Sequence, residues 1–174
     1  EIPEFERVVT TTTRAPRPGE INGVHYHFLT PEQFDAGLAA NDFLEWAWVH
    51  GQRRYGTLKS SVLEPLVRGQ SLVLSVDVQG VESFRRAAQE NPLLARRMTT
   101  VFIIVDQERL VARMIGRAQD NAAEIAGRMR TAERELQEAH KFDFVIESRT
   151  REEDFATLLS ILEQARARAA AGAA

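Results

Sequence analysis

The sequence contains no cysteine and no long apolar run. Because cysteine is absent from all 174 residues, disulfides, thiol chemistry and zinc fingers are excluded. No apolar stretch approaches the length that is needed to span a membrane. We therefore predict a cytoplasmic protein without a membrane partner.

A strong charge of one sign is also missing. The net charge is −3 and the pI is near 5.9, which argues against general nucleic-acid binding because such binding needs a broad basic surface. Any anion site must therefore be a local cluster. Metal ligands are sparse as well: His25 and His27 share one face of a predicted strand, but no third ligand follows at a useful spacing. No metal site is predicted.

The stretch from Thr10 to Glu20 carries the clearest local signal. Its four threonines favour an extended backbone, and Pro16 and Pro18 prevent a regular helix. Arg14 and Arg17 therefore lie three positions apart on a rigid loop, where their planar guanidinium groups can converge on one phosphate. A solvated basic loop is the other interpretation of this stretch alone.

The remaining chain alternates strands and helices. Near-continuous apolar runs predict buried strands at Ser71 to Val78 and Thr99 to Val105. The first run carries Asp77 near its carboxyl end, the usual place for a site in an open α/β sheet. This order predicts an α/β fold with a mixed insert from Thr10 to Thr57.

Within the insert, Thr30-Pro31-Glu32-Gln33 predicts a capped helix start. The aromatic segment Phe43 to Val49 predicts a strand that holds Glu45, either on its solvent face or with a polar partner. Gly51 to Gly56 is predicted as a loop, and Thr57 as the cap of the next helix.

Two later helices carry three arginines. They are predicted at Gln107 to Arg117 and Ala122 to His140. Arg113 and Arg117 share a helix face, and Arg128 can approach from the next helix. A solvated charged face would explain any one of these arginines.

With these residues in place, the sequence resembles the guanylate kinase family, whose members transfer the γ-phosphate of ATP to GMP. The resemblance covers nearly the whole chain and depends on five motifs in the family's order. These motifs are Thr12 to Glu20 (TTRAPRPGE), Gly23 to Phe28 (GVHYHF), Phe43 to Ala47 (FLEWA), Tyr55 to Thr57 (YGT) and Asp77 to Gly80 (DVQG).

The resemblance implies a P-loop nucleoside-monophosphate-kinase-like parallel sheet with helices on both faces, a small mixed β/α GMP-binding insert and a helical lid. By position, residues 1–9 and 71–174 would form the core, with the lid near residues 107–130. Residues 10–70 would form the GMP-binding subdomain.

The resemblance also implies the residues that bind GMP. Guanine would be recognised by Glu45 and Thr57, because a carboxylate accepts from the adjacent N1 and N2 donors and a hydroxyl donates to O6. Asp77 matches an acidic position that holds nucleotide or a magnesium shell. The residues that match the family's phosphate contacts are Thr10, Arg14, Arg17, Tyr26 and Tyr55.

Arg113, Arg117 and Arg128 match the family's lid and adjoining helix, which close on ATP and screen charge on the transferring phosphoryl group. The implied substrates are GMP and ATP, and the implied cofactor is Mg²⁺.

One family motif is not found. The loop G-x-x-x-x-G-K-[ST], which holds ATP phosphates, needs a lysine after a glycine, but Lys59 follows Leu58 and Lys141 follows His140. One interpretation is a guanylate kinase whose complete gene product carries this loop upstream of Glu1; the chain itself is then expected to bind GMP weakly and to transfer nothing. The alternative is a catalytically dead guanylate-kinase-like module that binds a nucleotide or a phosphoprotein.

Overall fold

A computed structural model describes residues 5–49, 53–116 and 122–171, except for the side chains of residues 113–116, 122–124 and 171. The chain divides into two compact units, Glu1–Arg97 and Met98–Ala174. Among the described helices, none is both long enough and apolar enough to cross a membrane.

The first unit contains one parallel strand pair and one mixed sheet. Its strands are β1 (Phe5–Arg7), β2 (Thr11–Thr12), β3 (His27–Phe28), β4 (Phe43–Val49), β5 (Arg53–Leu58) and β6 (Ser71–Val73), and its helices are α1 (Pro31–Ala39), α2 (Ser60–Val67), α3 (Val78–Glu90) and α4 (Pro92–Arg97). Strand β1 pairs with β6 in parallel, and the mixed sheet has the order β3-β2-β5-β4. Helix α3 packs against β4, and α2 packs against β5 and β6.

Antiparallel pairing of β4 with β5 defines the two faces of the mixed sheet. Glu45 lies opposite Thr57, and Trp48 lies opposite Arg54. Because side chains alternate along a strand, Glu45, Thr57 and Tyr55 project from one face, whereas Trp48 and Arg54 project from the other.

Helix α1 begins as the sequence predicts. Thr30 accepts from the Gln33 N–H at 3.2 Å, and the Gln33 side chain accepts from the Thr30 N–H at 2.9 Å, which completes a capping box. The helix buries Phe34 completely, and this ring stacks on Phe43 with 4.4 Å between ring centres.

Three predictions about this unit are wrong. The predicted loop before Gly56 is strand β5 from Arg53 onward, because pairing with β4 satisfies its backbone donors and acceptors. Thr57 is a fully buried strand residue and caps no helix; α2 follows Lys59 instead. The predicted strand from Ser71 to Val78 ends at Val73, and Val78 begins α3.

The second unit contains a parallel strand pair together with α-helices. Its strands β7 (Val101–Ile104) and β8 (Phe144–Glu147) pair in parallel, and its helices are α5 (Gln107–Gly116), α6 (Ala122–Gln137) and α7 (Arg151–Ala171), with a 3₁₀ turn at Ala139–Lys141. Asp143 joins the starts of β7 and β8, because its Oδ2 accepts from both the N–H and the hydroxyl of Thr100 at 2.7 Å. The predicted α/β class is confirmed.

We expect Gly56→Ala to destabilise the protein by about 1–3 kcal/mol, because the added carbon overpacks the sheet. A Cβ at Gly56 would lie 2.8 Å from Phe43 Cδ1 and 3.0 Å from the Glu45 carbonyl oxygen. Urea denaturation measures the loss. The matched control is Gly127→Ala in α6, where the nearest atom is Arg130 Nη2 at 3.9 Å, so stability should stay the same or rise slightly. Equal stabilities of Gly56→Ala and wild type would contradict the prediction.

Candidate functional site

Arg14 lies at the centre of a cluster that brings together three of the predicted phosphate contacts. Its Nε donates to the Tyr55 hydroxyl at 3.3 Å, and its guanidinium carbon lies 5.4 Å from the centre of the Tyr26 ring. The Tyr26 and Tyr55 rings are 5.9 Å apart and nearly perpendicular. Only 7% of Arg14 is exposed, so its orientation is set by these neighbours.

Glu20 holds the guanidinium fork of Arg14. Glu20 Oε2 lies 2.7 Å from Arg14 Nη1, and Glu20 Oε1 lies 2.8 Å from Arg14 Nη2. Glu20 Oε2 also accepts from the Arg17 N–H at 2.6 Å. The hydrogen bond from Arg14, followed by that from the Arg17 backbone, lowers the pKa of Glu20 to about 2, so the carboxylate is charged at neutral pH.

Sequence reasoning assigned no role to Glu20. The available signal was a single carboxylate six residues after Arg14, next to a turn at which Gly19 adopts a φ of 84°. A glycine favours this backbone conformation because it has no side chain.

The other two predicted phosphate contacts, Thr10 and Arg17, are less buried than Arg14. The side chain of Arg17 is exposed. Thr10 is half-buried, and its carbonyl accepts from the His27 N–H at 2.8 Å. Both residues lie on the same stretch as Arg14, from Thr10 to Glu20.

Glu45 and Thr57, the predicted guanine contacts, bind each other. The Thr57 hydroxyl donates to Glu45 Oε1 at 2.6 Å, and Thr57 is fully buried. Burial raises the pKa of the Glu45 carboxyl, the Thr57 hydrogen bond partly offsets this rise, and the negative charge of Asp77 adds to it. Because a hydroxyl has one proton, donation from Thr57 to a base would require the hydroxyl to turn away from Glu45.

Asp77 occupies the N-cap of α3. Its Oδ1 accepts from the Gly80 N–H at 2.7 Å, while its side chain is exposed. Gly80 permits the tight turn, since a Cβ there would lie 2.9 Å from Val76 Cβ. The sequence placed Asp77 in a strand; the structure places it at a helix start, where a carboxylate is favoured by the helix dipole.

The predicted lid arginines belong to the second unit. Arg117 and the side chain of Arg113 lie outside the described residues. Arg128 is half-buried in α6. The catalytic role of all three stays a prediction. Within the ranges 5–49, 53–116 and 122–171, no group of three or more His, Asp or Glu side chains is arranged to hold a metal ion.

These features define an α/β protein whose mixed sheet carries an arginine–tyrosine cluster beside a half-buried carboxylate. A family model described as guanylate kinase matches residues 2–165. The guanylate kinase of Bifidobacterium longum is 42% identical over 161 residues, which cover 92% of this chain and 81% of that protein. The guanylate kinase of Wolinella succinogenes is 42% identical over 158 residues, covering 90% of this chain and 70% of that protein.

A solved structure agrees with these relatives. The crystal structure of guanylate kinase from Anaplasma phagocytophilum matches with a TM-score of 0.74 and 26% identity, and the match covers 92% of this chain and 76% of that one. The chain belongs to the guanylate kinase family. The family and the kinase-like α/β fold that the sequence resemblance implied are therefore confirmed.

Replacing Glu20 by Gln should accelerate hydrogen exchange at the Arg17 amide several times, because a neutral amide oxygen is a weaker acceptor than the carboxylate. Nuclear magnetic resonance measures the exchange rate. Glu64→Gln, which changes an exposed carboxylate of α2, should leave the Arg17 rate unchanged. An unchanged Arg17 rate in Glu20→Gln would show that this contact does not order the loop.

Proposed function

We propose that this protein is a guanylate kinase that phosphorylates GMP to GDP with ATP as the donor, in purine nucleotide metabolism. The observation that carries the proposal is the shared face of the mixed sheet. Tyr55, in contact with Arg14, and Thr57, in contact with Glu45, lie two positions apart on β5. One face therefore carries Tyr55, which contacts the anion-binding Arg14, and Thr57, which contacts the base-reading Glu45, at positions about 7 Å apart along β5.

Phosphate binding is proposed to use the arginine N–H groups that do not already donate to Glu20 or to another protein group. A guanidinium has five N–H groups. In Arg14, Nη1 donates to Ala15 O and Glu20, Nη2 donates to Glu20, and Nε donates to Tyr55. One Nη2 donor remains, so the exposed guanidinium of Arg17 is proposed to supply most of the ionic contact. The hydroxyls of Thr10, Tyr26 and Tyr55 would complete the phosphate site.

Base recognition is proposed to use the Glu45 carboxylate. Guanine presents two adjacent N–H donors that one carboxylate accepts together, whereas adenine presents no such pair. A desolvated carboxylate left without donors is costly. Glu45 would therefore reject AMP.

The residues proposed for the transfer step are Asp77 near the phosphates and Arg113, Arg117 and Arg128 on the ATP side, where they would screen charge on the moving phosphoryl group. Mg²⁺ would arrive with ATP, held mainly by phosphates and water.

We also propose the division into subdomains, the cellular location and the partners of the protein. Residues 10–70 form the GMP-binding subdomain, and residues 1–9 and 71–174 form the core with a lid near 107–130. The protein acts in the cytoplasm. Its partners are GMP and ATP, without nucleic acid or membrane.

Calorimetry with GMP and AMP tests the proposed function. Wild type should prefer GMP, and Glu45→Gln should reduce this preference by about tenfold or more, because the new amide N–H₂ opposes the guanine donors. Glu64→Gln should retain the full preference. A wild-type chain that binds neither nucleotide would contradict the proposed function, and an undiminished preference in Glu45→Gln would contradict the assigned base contact.

The affinity for guanosine should fall as the pH is lowered. Because burial raises the pKa of Glu45, the fall should begin above pH 4.5, the ordinary pKa of a glutamate. The carboxylate accepts hydrogen bonds, so its protonation removes the guanine contact, and the raised pKa moves this loss toward neutral pH. Guanosine is used because it has no phosphate to titrate. Titrations followed by nuclear magnetic resonance measure the affinity between neutral pH and pH 4.5. Glu45→Gln should show a flat profile, and a flat wild-type profile would refute the prediction.

A further inference from the structure

Arg54 is buried on the face of the mixed sheet opposite Tyr55 and Thr57. Only 6% of the residue is exposed, and its guanidinium carbon lies 4.7 Å from the centre of the Phe34 ring and 5.3 Å from that of the Trp48 ring. Its Nη2 donates to the Pro31 carbonyl at 2.8 Å, and its Nη1 pairs with the Asp35 carboxylate. The side chain thus joins β5 to the first turns of α1.

The backbone of Arg54 holds the segment that leads into Arg14. Its N–H donates to the Thr13 hydroxyl at 2.9 Å, and its carbonyl accepts from the Thr13 N–H at 3.0 Å. Thr13 directly precedes Arg14, and Arg54 directly precedes Tyr55. The hydrogen bonds between Arg54 and Thr13 therefore lie directly beside the contact between Arg14 and Tyr55.

Charge pairing alone does not explain this burial. The Asp35 side chain is 63% exposed, and exposed ion pairs stabilise little. The remaining contacts use the planar guanidinium, which lies over the rings of Phe34 and Trp48 while it donates to the Pro31 carbonyl. Neither lysine nor methionine reproduces this combination.

We propose that Arg54 is a positioning residue of the phosphate site. It does not touch GMP. It anchors the beginning of β5 on α1, and this anchor sets both the Tyr55 hydroxyl and the Thr13–Arg14 backbone in the arrangement that receives the phosphate. The inference rests on the proposed function, because it assumes that GMP is the ligand.

Comparison of GMP with guanosine tests the inference, because guanosine has the base without the phosphate. Arg54→Met should weaken GMP binding by about tenfold while guanosine binding changes by less than about twofold. Arg54→Lys should lie between wild type and Arg54→Met for GMP. The matched control is Arg97→Met in α4, where the arginine side chain is exposed, which should bind both ligands as wild type does. Calorimetry measures GMP, and chemical-shift titration measures guanosine.

Equal losses for GMP and guanosine, or no loss for either, would overturn the inference, since a general structural defect does not select the phosphate. If Arg54→Met does not fold, Trp48→Leu removes one stacking ring and keeps the guanidinium. The same GMP-selective loss is then expected, and a loss shared by guanosine overturns the inference. A wild-type chain that binds neither ligand contradicts the proposed function instead.

Discussion

The register between β4 and β5 determines which side chains face the proposed nucleotide. Glu45 opposes Thr57, and Tyr55 projects from the same face. A slip of one residue would turn every side chain of β5 to the other face, and Arg54 and Gly56 would take the places of Tyr55 and Thr57 on the proposed nucleotide face. Burial of Glu45 in turn depends on this register, because its carboxyl lies against the fully buried Thr57. The same strand register therefore determines both the pairing of β4 with β5 and the side chains that the proposed site presents.

Elements with strong local signals were predictable from the sequence. The strand Phe43–Val49 has the predicted bounds, and α1 begins at the predicted capping box of Thr30 and Gln33. Strand β5 was not predictable, because its first residues follow a glycine and carry no apolar alternation, and only pairing with β4 makes them a strand. Asp77 was placed one element too early for a related reason, since an apolar run does not show where a strand ends and a capped helix begins.

The candidate site was predictable where family motifs cover it, and Arg14, Tyr26 and Tyr55 do lie together. The partners that hold these residues were not predictable. Glu20 binds Arg14 across a turn, and Arg54 binds residues of α1 from a strand. The first contact depends on the turn that brings Glu20 back to Arg14 and the second on the approach of α1 to β5, and residue types alone specify neither arrangement.

The pairing of Arg14 with Glu20 has a consequence for how an anionic ligand arrives. The pair is neutral, so it adds little to the long-range electric field, and the chain as a whole carries a net charge of −3. Attraction of an anion to the site then comes from local charge such as that of Arg17, and at physiological ionic strength it fades beyond about 8 Å. Electrostatic steering thus contributes little to capture, and discrimination among nucleotides occurs after encounter, through contacts at short range.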